Sequence, residues 1–120
     1  MPVLIALFVL LAQQPAAAPK VEVTTLKAGL GSCSADFTVT APDGSPVYDA
    51  TIHVRVRYGF LGIKRADLEV GTNAEGAARI EGLPEKARLL MYDISKGDMK
   101  GTAEQDVSME CHAARDVRLK

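Results

Sequence analysis

Tryptophan is missing from the 120 residues of this chain, and aromatic side chains make up only 5% of them. A carbohydrate-binding module needs exposed rings in a row, so that alternative, and a glycan partner with it, is hard to supply. Histidine is almost as scarce, His53 and His112 being the two present, which leaves few groups able to act as a base near neutral pH. Charge of one sign is not in excess either. The 14 basic residues stand against 15 acidic ones, a balance that argues against a dedicated nucleic-acid binder.

Catalytic frames are lacking too. No Gly-x-Ser-x-Gly surrounds a serine, and no glycine loop is spaced to cradle phosphate. Cys33, Cys111, His53 and His112 could formally ligate zinc, but their spacing matches no compact ligand motif. Asp43, Asp49, Asp67, Glu69, Asp93, Asp98 and Asp106 are scattered rather than gathered into the dense loop that calcium prefers. The expectation is a chain that is not an enzyme and carries neither metal nor cofactor.

What the chain does have begins with Val3 to Ala12, an uninterrupted apolar run. It is too short to cross ~30 Å of hydrocarbon, which takes about 20 helical residues, and it fits the hydrophobic region of a secretory signal. Residues 1–18 are therefore read as signal peptide and leader, with cleavage preferred after Ala12 and a retained N-terminal anchor as the alternative. Residues 19–120 are read as a single domain with no membrane span, placed in the periplasm or secreted from a bacterial envelope. Two cysteines in an exported chain default to one disulfide, Cys33 to Cys111. In a domain of about 100 residues such a bond would supply roughly 4 to 5 kcal/mol.

Two turn phrases punctuate that domain: Ala41-Pro42-Asp43-Gly44-Ser45-Pro46-Val47 and Thr72-Asn73-Ala74-Glu75-Gly76. Between and around them apolar residues alternate with polar ones. Cys33, Ala35, Phe37 and Val39 share one face, with Ser34, Asp36, Thr38 and Thr40 on the other, and Ile52, Val54 and Val56 repeat the pattern. Alternation of this kind predicts half-buried strands, and short strands separated by regular turns predict an antiparallel sandwich. Leu68 with Val70, and Ala78 with Ile80, mark further strands. Leu89-Leu90-Met91 leaves its own register open, and Ser95 to Gly101 reads as loop. Val107, Met109, Cys111, Val117 and Leu119 share a parity at the C-terminal end. If the first and last regular strands run side by side and parallel, both sulfurs reach the same end of one sheet, within the ~7 Å between Cα atoms that a disulfide requires.

Thr38 to Val47, Ala50 to Val54, Thr72 to Gly76 with Ile80, and Gly82-Leu83-Pro84 together resemble the carboxypeptidase regulatory-like domain, one of the transthyretin-like β-sandwiches. The likeness runs over about residues 35–120. Asn73 stands where that family has Asp, Ala78 where a bulky aromatic is common, and Glu85-Lys86 where a glycine follows Leu-Pro. The resemblance implies an all-β Greek-key sandwich of seven or eight strands and a stand-alone, non-catalytic accessory module, protein-binding or structural, in the cell envelope. The same group includes hydroxyisourate hydrolases, but their Tyr-Arg-Gly-Ser terminus has no counterpart in Asp116-Val117-Arg118-Leu119-Lys120, so a small hydrolase is disfavoured.

One stretch stands out from the turn-and-strand pattern. Tyr58-Gly59-Phe60-Leu61-Gly62-Ile63-Lys64-Arg65 places four large apolar side chains and two cations in a strand connection. Phe60 and Ile63 either fold back to cap the core, or Tyr58, Phe60 and Leu61 anchor an envelope or extracellular protein while Arg55, Arg57, Lys64 and Arg65 steer its acidic surface.

Overall fold

The computed structural model describes residues 23–120, so the apolar run and the leader before it lie outside the described residues. Eight strands follow in order: β1 Thr24–Lys27, β2 Cys33–Thr40, β3 Thr51–Tyr58, β4 Lys64–Gly71, β5 Ala77–Leu83, β6 Leu89–Lys96, β7 Met99–Asp106 and β8 His112–Arg118. They form two four-stranded sheets, β1-β5-β2-β8 and β4-β3-β6-β7, packed face to face as a sandwich. Alternation decides which side chains meet between them. Phe37, Val39, Ile52, Val54, Ile80 and Ile94 are buried, and the intervening residues look outward. Phe37 from β2 and Tyr92 from β6 touch edge to face across the layers, with ring centroids 4.7 Å apart, an arrangement aromatic quadrupoles favour.

β2 and β8 lie side by side and parallel, Ser34 opposite His112 and Val39 opposite Val117. Cys33, the first residue of β2, and Cys111, just ahead of β8, are joined by a disulfide with their Cα atoms 4.6 Å apart. The backbone N–H of Ser34 donates to the Cys111 carbonyl at 2.8 Å beside this bond, while on the other edge of β2 the register with β5 shifts between Cys33 and Ser34.

Both turn phrases do structural work, and they do it together. Asp43 Oδ1 accepts from the Ser45 N–H at 3.0 Å and from its hydroxyl at 2.7 Å, which closes the first turn. In the second, Asn73 Oδ1 accepts from the N–H groups of Glu75 and Ala77, both at 2.9 Å. Asn73 thus acts through its side chain and not through an unusual backbone conformation. Gly76 has a φ of 76°, and a Cβ there would run into the Val39 carbonyl oxygen, so position 76 admits only glycine. The turns interlock through Thr72, whose buried hydroxyl donates to Val47 O at 2.6 Å and accepts from Ala50 N–H at 2.8 Å.

Two expectations are corrected. Ser95 to Gly101 is not an open loop: β6 and β7 pair up to Lys96 opposite Met99, with Gly97 at a φ of 59° making the tight reversal. Met109 does not share the inward parity of Val107 and Val117; it sits in a turn and is 85% exposed. β8 pairs with β2 without interruption from His112 to Arg118. In the open register of β6, Leu90 faces in while Leu89 and Met91 face out.

Candidate functional site

The connection from β3 to β4 is a tip built on unusual backbone. Gly59, Leu61 and Gly62 have φ values of 83°, 58° and 66°, and the turn is held by Gly62 N–H to Gly59 O at 3.0 Å and Ile63 N–H to Phe60 O at 3.3 Å. A leucine in the left-handed region is strained, and this one is turned to solvent. Phe60, Leu61 and Ile63 are 79%, 82% and 72% exposed. The fold-back reading, with Phe60 and Ile63 capping the core, therefore does not describe this structure.

Facing the tip is the β5–β6 connection, Pro84 to Arg88. Arg88 has a φ of 63°, and its carbonyl accepts from Val107 N–H at 2.9 Å. Glu85 anchors this segment to the arm after β1, accepting from both the N–H and the hydroxyl of Ser32. Between tip and connection lies an open cleft of about 730 Å³, lined on one side by Arg57, Tyr58 and Phe60 and on the other by Lys86 and Arg88, with Leu30 also in its wall.

The cleft's electrostatics are one-sided. Arg57 stands directly opposite Arg65, and Tyr58 opposite Lys64, in the β3–β4 pairing. Like charges directly opposite one another destabilise a sheet. Arg57, Lys64, Arg65, Lys86 and Arg88 form no ion pair among the described residues, whose salt bridges join His53 and Arg55 to Asp67, Arg79 to Asp36 and Glu81, and Arg115 to Glu110. Glu85 lines the cleft, but its carboxylate is taken up by Ser32. Lys86 and Arg88 only assist Glu85 and Asp106 at longer range.

Of the residues singled out in the sequence, Arg57, Tyr58, Phe60, Leu61, Lys64 and Arg65 come together at this end. Arg55 does not. Its Nε donates to Asp67 Oδ1 at 3.1 Å, beside His53 at 3.4 Å, in a shallow groove with Leu89, Met91 and Asp93. Lys86, Arg88 and Leu30 were missed. Their only trace in the sequence is Glu85-Lys86, where the turn pattern departs from a glycine. The four residues weighed for zinc do not converge either, because the sulfurs are bonded to each other and the two histidines lie on different sheets. Among the described residues no group of three or more His, Cys, Asp or Glu could hold a metal ion. A Ser34 hydroxyl sits 2.8 Å from His112 Nδ1, but Ser34 is buried, so the contact ties β2 to β8 and leaves the hydroxyl without access for a substrate.

Five carboxylates near the surface carry a pH consequence. Asp43 is held below the usual carboxylate range by the Ser45 hydroxyl and Asp106 by the Ser108 hydroxyl. Asp67 is held low by Arg55, Glu85 by the Ser32 N–H, and Glu110 by Arg115. A group whose folded pKa is depressed adds stability above its unfolded value and loses it as pH falls through the folded one. Urea midpoints should accordingly fall once pH drops below about 4. Midpoints unchanged down to pH 3 would show that these bonds do not stabilise the fold.

No family model matches the chain, and no curated protein matches it in sequence. Solved structures do share the sandwich. Catechol 1,2-dioxygenase from Acinetobacter radioresistens superposes with a TM-score of 0.55 at 13% identity, covering 88% of this chain and 59% of that one. The enzyme from Pseudomonas arvilla gives 0.54 at 11% identity, again over 88% and 59%. That from an Acinetobacter species gives 0.50 at 11%, over 83% and 59%. The chain spans about three fifths of the length of these structures, and likeness at this identity concerns the fold alone. It does correct one expectation. The solved structures just compared are named as dioxygenases, not as envelope accessory modules, so the reading as a non-catalytic accessory module is withdrawn.

Proposed function

We propose that the chain is a ligand-binding domain that works outside the cytoplasm and takes an anionic group, attached to an apolar or aromatic body, into the cleft at the β3–β4 tip. The observation that carries this is that Arg57, Lys86 and Arg88 line the cleft beside exposed aromatic and aliphatic side chains, with Lys64 and Arg65 next to them in the strand register, and that none of the five has an ion-pair partner among the described residues. An anion between Arg57 and Arg65 would relieve a like-charge opposition that the fold itself leaves uncompensated. Arg and Lys supply several donors for carboxylate or phosphate oxygens, and Tyr58 and Phe60 offer faces for the body of the ligand. The volume lies within the range of small-molecule sites. Catechol, named for the enzymes of like fold, is uncharged at neutral pH and would use the rings but not the cations. Export is supported by the Cys33–Cys111 bond and by the apolar run at the N-terminus. No described helix is long and apolar enough to cross a membrane.

Titration with phenyl phosphate, followed by amide NMR, tests the reading. Shifts are expected at Gly59, Gly62 and Ala87, and Arg57→Gln should weaken binding about tenfold, the loss of one hydrogen bond to a charged group. Unmoved resonances around the cleft would overturn the assignment.

A further inference from the structure

We propose that the anion this cleft meets belongs to a bilayer: the β3–β4 tip docks on a membrane surface rich in anionic phospholipid, with Phe60, Leu61 and Ile63 entering the acyl boundary. The inference rests on the reading of the cleft as an anion site and names the source of the anion. Its independent support is the shape of the tip. Three large apolar side chains within four residues are each more than two thirds exposed, and they sit on the turn between β3 and β4, Phe60 and Leu61 also forming the rim of the cleft. A convex apolar point finds little to pack against on a folded protein unless that protein offers a matching cavity. A fluid bilayer accepts it without one.

The cations stand where such docking needs them. Arg57, Lys64 and Arg65 are fixed by the hairpin register immediately below the apolar residues, and Lys86 with Arg88 complete the collar from the facing connection. Apolar tip and charged collar thus follow the order of acyl chain and phosphate in a lipid leaflet. Basic side chains near an anionic membrane contribute about 1 kcal/mol each, and the attraction is screened by salt. By contrast, Arg55, Arg79 and Arg115 elsewhere on the surface are neutralised by carboxylates in contact.

The absence of tryptophan makes the test direct. In the full chain, Phe60→Trp introduces a single indole reporter at the tip. Its emission is expected to shift to the blue with phosphatidylglycerol vesicles, to stay unshifted with phosphatidylcholine vesicles, and to return in high salt. Arg57→Gln with Arg65→Gln should weaken vesicle binding roughly thirtyfold, from about 1 kcal/mol for each charge. Phe60→Ser with Leu61→Ser should abolish the binding that depends on anionic lipid while leaving the thermal transition unchanged, since neither residue is buried. The N-terminal apolar run is common to all variants, so differences among them report on the tip. Unshifted emission in a chain that nonetheless sediments with anionic vesicles would overturn the proposal, because the chain would then be held elsewhere. Phenyl phosphate binding without any vesicle response would overturn it too, and would leave the anion-site reading standing. Loss of both would remove both.

Discussion

Removal of the Cys33–Cys111 bond will lower the unfolding free energy by about 4.5 kcal/mol. The two cysteines are 78 residues apart, and the loop-entropy relation for a closed loop of that length gives about this value at room temperature. Small domains are stable by ~5–15 kcal/mol in all, so the loss takes a large part of the total. The structural reason lies in the topology. β2 and β8 form a parallel pair, and strands distant in sequence cannot be brought together by a short hairpin. The staple holds the pair at the end where it begins, and Ser34 N–H to Cys111 O is the first ladder bond beyond it. The comparison is between the chain and its Cys33→Ala, Cys111→Ala variant in guanidinium denaturation. Alanine leaves no polar atom at a site where Cys33 is fully buried. A midpoint displaced by less than about 1 kcal/mol would mean that the unfolded chain is already compact around these residues.

The parts of this fold that could be read in the sequence are those where local chemistry and global packing ask for the same residue. β2 was legible because every second residue from Cys33 to Val39 is buried. The turns were legible because Asp43 and Gly76 answer local demands that hold in any fold. The parallel β2–β8 pair followed from the matching places of the two cysteines. β7 was not legible, and its inward positions explain why: after Met99, the residues Gly101, Ala103 and Gln105 carry no large apolar side chain. Gly101 is small because a Cβ there would crowd Val117 of β8 and Leu119 just after it, so the C-terminal segment supplies the bulk that β7 lacks. The cleft was half legible. Arg57 to Arg65 are contiguous and announce themselves, whereas Lys86 and Arg88 join them only because Glu85 bonds to Ser32, 53 residues away, and brings the connection alongside the tip. Arg55 shares the outward parity of Arg57, but the β3–β4 register sets it opposite Asp67, and its charge is consumed there.

Gln105→Leu should destabilise the domain by roughly 2 to 5 kcal/mol, although leucine has nearly the same volume and favours burial. Gln105 is fully enclosed and uses both ends of its amide. Its Oε1 accepts from the Tyr92 hydroxyl at 2.7 Å, and its Nε2 donates to the carbonyls of Ser34 at 3.0 Å and Glu110 at 2.9 Å, with Cys111 at 3.3 Å. Through it β7 is tied to the start of β2 and to the segment that leads into β8, on either side of the disulfide. Burial pushes the Tyr92 phenol up, so it remains a donor far above neutral pH. With Gln105 in place, no buried side-chain nitrogen or oxygen among the described residues lacks a partner. Leucine would strand the Tyr92 hydroxyl and at least one carbonyl, each costing about 1 to 3 kcal/mol. A second substitution separates this loss from repacking. Tyr92→Phe alone leaves the Gln105 oxygen without its donor and should destabilise, whereas Tyr92→Phe added to Gln105→Leu removes a stranded hydroxyl and should restore about 1 kcal/mol. The sign of that interaction, read from a double-mutant cycle in urea, distinguishes a polar network from a packing defect. Strictly additive losses would show that Gln105 and Tyr92 act on the fold independently.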